Sequence, residues 1–166
     1  MKEEQVRILK TMSEATTRMD LNMFAQAVNM NPNQAIALMQ ELAKEGFLQK
    51  VGNGYRLSGK SKSALKVYSQ VSGELSFHFY VGVNEPLGFL AQSLEQFYRL
   101  IRDVRSDSLE FHLYRGDFER WLRDVLEDGE LAEAIGSLKA TPLKGEDLRK
   151  EILKALDAKY GIGELL

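Results

Sequence analysis

Two sets of side chains carry the chemistry in this chain. The first is a pair of histidines, His78 and His112, set among aromatic residues. An imidazole titrates near neutrality and can act as base, proton relay or metal ligand. No spacing ties the two into a ligand pair, and the chain has no cysteine, which excludes disulfides, thiol catalysis and cysteine-based metal sites. His112 falls on one helical face with Leu109 and Leu113, so it is expected to point into a core. There a single hydrogen bond would satisfy it, with a carboxylate as one candidate partner. The second set is amide and basic: Asn33, Gln34 and Gln40, then Lys44, Lys50, Arg56, Lys60 and Lys62. Asn and Gln can pair bidentately with adenine, while Lys and Arg neutralise phosphates and position a protein without reading sequence.

The elements that would present the second set can be read from periodicity. Val6, Leu9 and Met12, widened by Ile8, predict a helix over about residues 2–14. Leu21, Phe24, Ala25 and Val28 predict a second helix, with Asp20 or Asn22 as its cap. Asn31-Pro32 reads as N-cap and first position of a third helix, which turns Ala35, Leu38, Met39 and Leu42 inward and stops at Gly46. Asn33, Gln34, Gln40 and Lys44 lie opposite that apolar face, with Ile36, Ala37 and Glu41 beside them. Phe47–Val51 and Tyr55–Leu57 read as strands joined by Gly52-Asn53-Gly54, residues that tolerate a positive φ.

Helix, helix-turn-helix and hairpin follow one another as in a winged helix. The stretch FAQAVNMNPNQAIALMQELAKEGFLQKVGNGYRLSGKSKSAL resembles the winged helix-turn-helix of prokaryotic transcriptional regulators. The resemblance covers about residues 1–66. It rests on the two-residue offset from Val28 to Met30, the LAKEGFL helix exit and the YRLSGKSKSAL run. It implies that the third helix enters the major groove of double-stranded DNA. The chain departs from many such helices in having no arginine there, with Ile36 and Ala37 central and Glu41 repelling phosphate. Winged helices also serve as protein-interaction modules, and that alternative stays open.

Ser58 to Gly73 predicts a fourth helix and a break. Beyond it Phe77, Phe79, Val81 and Val83 alternate with His78, Tyr80, Gly82 and Asn84, the period of a strand or extended segment. Its partner could be the first module, a second chain, or a layer of helices under it. From Pro86 the expectation is helical: Leu87, Leu90, Leu94, Phe97, Ile101 and Val104 form a near-heptad seam, either a bundle core or a dimer contact. Helices are also expected at Leu109–Tyr114, after Asp117 as N-cap for Phe118, Trp121 and Leu122, around Leu131 and Ile135, and around Leu148, Ile152 and Leu156. Residues 75–157 resemble an uncharacterised domain family found largely in archaeal proteins. The shared pattern is Phe77-x-Phe79, Ser93-Leu94, Ser108-Leu109 with His112, Asp117-Phe118 with Trp121, and Leu131-Ala132. That resemblance implies no activity.

Composition bounds the rest. The chain has 166 residues and a net charge of −2, but the charge is uneven. Residues 1–72 hold ten Lys+Arg against six Asp+Glu, and residues 73–166 hold twelve against eighteen. A basic front and an acidic back predict two modules: a winged helix over 1–72 and a helical bundle over 73–166 with one extended N-terminal segment. The fold class expected is mainly α with a small β-hairpin. No apolar run reaches the roughly 18 residues of a membrane span, and the N-terminus lacks a signal peptide pattern, so a cytoplasmic protein is expected. No glycine-rich phosphate loop, serine elbow or H-E-x-x-H motif occurs, which predicts neither an enzyme nor a bound cofactor. The functional expectation is a homodimeric, DNA-binding transcriptional regulator whose bundle dimerises, senses an unknown effector, or both. The alternative is a winged-helix adaptor that contacts a partner protein.

Overall fold

Capping side chains set where the first helices begin. In the computed structural model, which describes residues 1–166, α1 spans Glu3–Glu14 and opens with the Lys2 backbone N–H donating to Gln5 Oε1 at 3.0 Å. Helix α2 (Leu21–Ala27) is capped by Asp20, whose carboxylate accepts from Met23 N at 2.9 Å. Helix α3 (Pro32–Lys44) is capped by Asn31, which accepts from Gln34 N at 2.8 Å. Each cap satisfies an N–H that the first helical turn leaves unpaired, worth about 1 kcal/mol. The exit of α3 uses Gly46 at φ 82°, a left-handed position that favours glycine. It lets Phe47 N reach Leu42 O at 2.8 Å and Gly46 N reach Ala43 O at 3.1 Å, the paired bonds of a Schellman ending.

Strands β1 (Leu48–Val51) and β2 (Gly54–Leu57) then pair antiparallel, with Leu48 opposite Leu57 and Lys50 opposite Tyr55. Of the connecting residues only Gly52 uses a positive φ, 58°. Helix α4 (Gly59–Tyr68) starts against the α3 exit, where Ser58 Oγ donates to Gly46 O at 2.7 Å and Ser61 Oγ to Phe47 O. Ile8, Leu9, Phe24, Val28, Ala35, Leu42 and Phe47 form the buried core of this region.

The chain divides into two units, Met1–Lys66 and Val67–Leu166, with the division inside α4. The second unit begins with a hairpin and not with a lone strand. Strand β3 (Phe77–Gly82) pairs antiparallel with β4 (Glu85–Ala91), Phe77 opposite Ala91 and Tyr80 opposite Pro86. This corrects the expectation of a helix from Pro86 and of one seam from Leu87 to Val104. Leu87, Leu90 and Leu94 have helical spacing, but the turn at Val83-Asn84 folds β4 back onto β3, with Asn84 at φ 60° and Gly88 at φ 80°. Leu90 is left 45% exposed, and only Ala91 of β4 is buried. The segment from Phe77 therefore finds its partner strand in its own unit. The expected bundle with one extended segment is instead a hairpin packed on helices.

Helix α5 (Leu94–Asp103) starts at Ser93, whose Oγ accepts from Gln96 N at 3.1 Å. Its Leu94, Phe97 and Ile101, with Val104 just beyond, keep the buried stripe expected of them. Helices α6 (Ser106–Tyr114), α7 (Asp117–Asp124), α8 (Gly129–Gly136), α9 (Gly145–Tyr160) and α10 (Ile162–Leu165) follow. Helix α9 packs on α5, α6 and α8, α7 lies on α8, and α6 lies against β3. At the centre, Phe77 touches Phe79, Phe97, Phe118 and Trp121 with ring centroids 4.9–5.7 Å apart. Burying each such ring stabilises by roughly 1.5–3 kcal/mol. The protein is thus mainly helical with two antiparallel hairpins, one in each unit. No helix is long and apolar enough to cross a membrane.

Candidate functional site

On α3, Ala35 and Leu42 are buried while Asn33, Gln34, Gln40 and Lys44 are all exposed. At 3.6 residues per turn, Asn33, Gln40 and Lys44 fall on nearly one line, and Gln34 lies about a quarter turn away beside Glu41. Glu41 is drawn toward Lys2 at 3.9 Å, which offsets part of its charge. The basic residues of the hairpin do not share one surface. Lys50 and Arg56 occupy adjacent register positions, opposite Tyr55 and Gln49 respectively, so their side chains leave opposite faces of the two-stranded sheet. Arg56 Nε donates to Gln49 Oε1 at 2.9 Å on its own face. Lys60 is engaged elsewhere: its Nζ donates to Glu45 O at 2.8 Å, at the carboxyl end of α3, and sits 4.3 Å from the Phe47 ring centroid. Lys62 is exposed on α4.

The Lys50 face of the hairpin opens on a cavity of about 960 Å³ that the sequence reading did not anticipate. Its walls come from the end of α1, from α2 and from α3, and include Met12, Met19, Met23, Met39, Ile36 and Tyr55. Arg18 and Lys50 stand among the lining residues. Asp20 does too, but its carboxylate is occupied by the cap of α2. Met23 is 57% exposed and Leu21 39%, although the helical pattern puts Leu21 with the core residues. Four methionines scattered between positions 12 and 39 carry no sequence signal until the fold collects them.

In the second unit His112 lies 3% exposed, against the Phe77 ring at 4.8 Å between centroids. The expectation of an inward histidine paired to a carboxylate holds, with a second partner that periodicity does not reveal. Its Nδ1 is 2.9 Å from Asp117 Oδ2, and its Nε2 accepts the Tyr80 backbone N–H at 2.8 Å. That acceptor role puts the proton on Nδ1, from which it is donated to Asp117. Ser108, one turn before His112, donates its Oγ hydrogen to Tyr80 O at 2.6 Å. Both backbone groups of Tyr80 are thus taken by side chains of α6. Burial pushes the His112 pKa below the ordinary imidazole value, against the opposing pull of Asp117, so the ring is neutral.

Asp117 is not the N-cap expected of it. Gly116 occupies that position in a left-handed conformation at φ 76°, and Asp117 becomes the first helical residue of α7. Its carboxylate instead takes His112, Arg115 Nε at 3.5 Å and Arg120. Trp121 is buried as expected and donates its indole N–H to Leu75 O at 2.7 Å. Beside this network lies a cavity of about 430 Å³, lined by Phe77, Phe111, His112, Trp121 and both arginines, with the Val83-Asn84 turn at its edge. No cluster of three or more His, Asp or Glu side chains is placed to hold a metal ion.

A family described only as a family of unknown function (DUF5752) matches residues 72–164. The match takes in the hairpin β3–β4 and the whole of the His112 network. No curated protein and no solved structure matches the chain.

Proposed function

From the premise that the chain belongs to the family of unknown function DUF5752, we propose that its first unit is a winged helix-turn-helix and that the protein is a DNA-binding transcriptional regulator. The observation that carries this reading is the outward row Asn33, Gln40 and Lys44 on α3, next to a hairpin whose Lys50 face opens toward the same helix. Helix α3 follows α2 through a turn at Asn29, φ 56°, and presents donors and acceptors suited to base edges. The surplus of positive charge before residue 73 favours a polyanion at this end of the chain.

Regulation at a palindromic site calls for two copies. One such module with few cations binds DNA non-specifically at only about 10⁻⁴–10⁻⁶ M at physiological salt. A two-fold dimer makes the second contact effectively intramolecular. With β3 already paired and the Leu87–Val104 seam divided, the β3–β4 hairpin offers Val83, Phe89 and Leu90, 73%, 50% and 45% exposed, for self-association.

Fluorescence anisotropy of the full chain on labelled duplexes, read at about 50 and 200 mM salt, tests the reading. Binding should weaken steeply with salt. On a selected site, Gln40→Ala should relax discrimination at one or two base pairs by about 1–3 kcal/mol in total while leaving non-specific binding intact. Absence of duplex binding at the lower salt would remove the proposal.

A second reading is favoured by the methionine-lined cavity. Flexible thioethers adapt to apolar partners, and a groove of this size suits an amphipathic helix. With Arg18 and Lys50 among its lining residues, the partner would be acidic along one flank. An Ile36→Lys variant separates the readings. It should abolish binding of a labelled acidic amphipathic peptide if the groove is a docking site, and leave salt-dependent duplex binding in place if α3 is a DNA element.

A further inference from the structure

The cavity beside His112 has the composition of a small-molecule site, and this holds independently of whether the first unit binds DNA. Its volume of about 430 Å³ falls in the range of ligand pockets, about 300–1,000 Å³. The polar groups are unevenly matched. Asp117 is the single carboxylate among the lining residues, and it already serves His112, Arg115 and Arg120. Each guanidinium has five N–H donors, of which Asp117 engages only a part. Two arginines against one carboxylate leave this side of the cavity with a net positive charge.

The apolar groups are equally specific. Trp121 and Phe77 are buried residues at the wall, and Phe111 carries the Arg115 guanidinium 4.6 Å from its ring centroid. That cation–π contact holds the half-exposed guanidinium at the cavity wall, where its remaining N–H groups can meet an oxyanion. His112 contributes no donor to the cavity, since both ring nitrogens are committed to Tyr80 and Asp117. Its part is to hold Asp117, and through it the two arginines. A cationic ligand would be repelled by Arg115 and Arg120, and a neutral one would leave their remaining donors to water and gain no charge-assisted bond.

We propose that this cavity binds a small molecule with one oxyanion head, carboxylate or phosphate, on a flat apolar body. The head lies on Arg115 and Arg120, and the body lies toward Phe111 and Trp121. A ligand so placed would also touch the Val83-Asn84 turn, and so sense the β3–β4 hairpin.

Trp121 is the only tryptophan in the chain and lines the cavity, so its emission reports occupancy directly. The full-length protein is titrated with benzoate, phenyl phosphate and the neutral isostere benzamide. A saturable change in Trp121 emission is expected with at least one anion, with benzamide binding about tenfold more weakly or worse, as charge-assisted hydrogen bonds require. The tighter of the two anions identifies the head group. Arg115→Gln with Arg120→Gln should weaken the anions about tenfold or more and bring them level with benzamide, while thermal melting shows the fold retained. Should the double variant fail to fold, Arg115→Gln alone, at a half-exposed side chain, reads the same loss. Benzamide binding as tightly as both anions would overturn the proposal. So would no saturation by either anion up to about 10 mM, a range that covers even weak fragment binding, or anion affinity unchanged in the arginine variants.

Discussion

The backbone N–H of Tyr80 donates to His112 Nε2 at 2.8 Å, so a side chain from α6 closes the outer edge of β3. An edge strand normally offers unpaired backbone groups to any passing strand. Here the Tyr80 N–H goes to His112 and its carbonyl accepts from Ser108, while Pro86 opposite has no N–H to donate. One residue of the hairpin is therefore anchored entirely by side chains spaced one helical turn apart.

Removing that anchor should be costly. His112→Ala leaves a partly buried N–H on Tyr80 and takes from Asp117 one of its hydrogen-bond partners, and a loss of about 2–4 kcal/mol is expected. Ser108→Ala leaves only the carbonyl short of one donor and should cost about 1 kcal/mol. Urea unfolding of the full chain, followed by Trp121 emission, measures both. Equal and negligible effects would show that α6 holds β3 by packing alone.

The same bond makes stability depend on pH. Burial lowers the folded pKa of His112 below its unfolded value near 6.5, so the neutral ring contributes stability in full above that pH. The contribution is lost as the pH falls from 6.5 through the lowered folded value, because protonation would set an Nε2–H against the Tyr80 N–H. The expected outcome is a fall in melting temperature below about pH 6.5 that is much reduced in His112→Ala. Identical pH profiles for the two proteins would count against it.

The hairpin cations should separate. Lys50 and Arg56 leave opposite faces, so Lys50→Ala should lower the slope of log affinity against log salt by about 1, and Arg56→Ala should leave it nearly unchanged. Lys60→Ala should instead cost stability of about 0.5–1 kcal/mol, because its ammonium caps a carbonyl at the end of α3. Equal slope changes at Lys50 and Arg56 would mean that duplex DNA wraps both faces.

Self-association is checked at the second hairpin. Phe89→Ser with Leu90→Ser removes exposed apolar surface from β4 without touching the core. Sedimentation of the full chain should show a dimer at micromolar concentration and a monomer for the double variant. A monomeric parent protein would remove the two-fold arrangement from the functional proposal.

Local chemistry alone determined much of the first unit. Asp20, Asn31 and Gly46 bound their helices through hydrogen bonds to residues three to five positions away, and such bonds are written in adjacent sequence. The buried stripe from Leu94 to Val104 and the inward His112 were legible for the same reason. What sequence could not decide were contacts between residues far apart in the chain. Leu87 and Leu90 have the spacing of a helix, yet the outcome fell to Ala91 meeting Phe77 across a turn that leaves Leu90 in solvent. Asp117 has the residue type of an N-cap, yet a glycine able to adopt φ 76° took that place and freed the carboxylate for His112. Lys50 and Arg56 looked like one basic patch until antiparallel register put them on opposite faces. The two cavities exist only because α1, α2 and α3, or β3, α6 and α7, converge. Spacing along a chain encodes which face of an element is apolar, and only packing decides which faces meet and what is left between them.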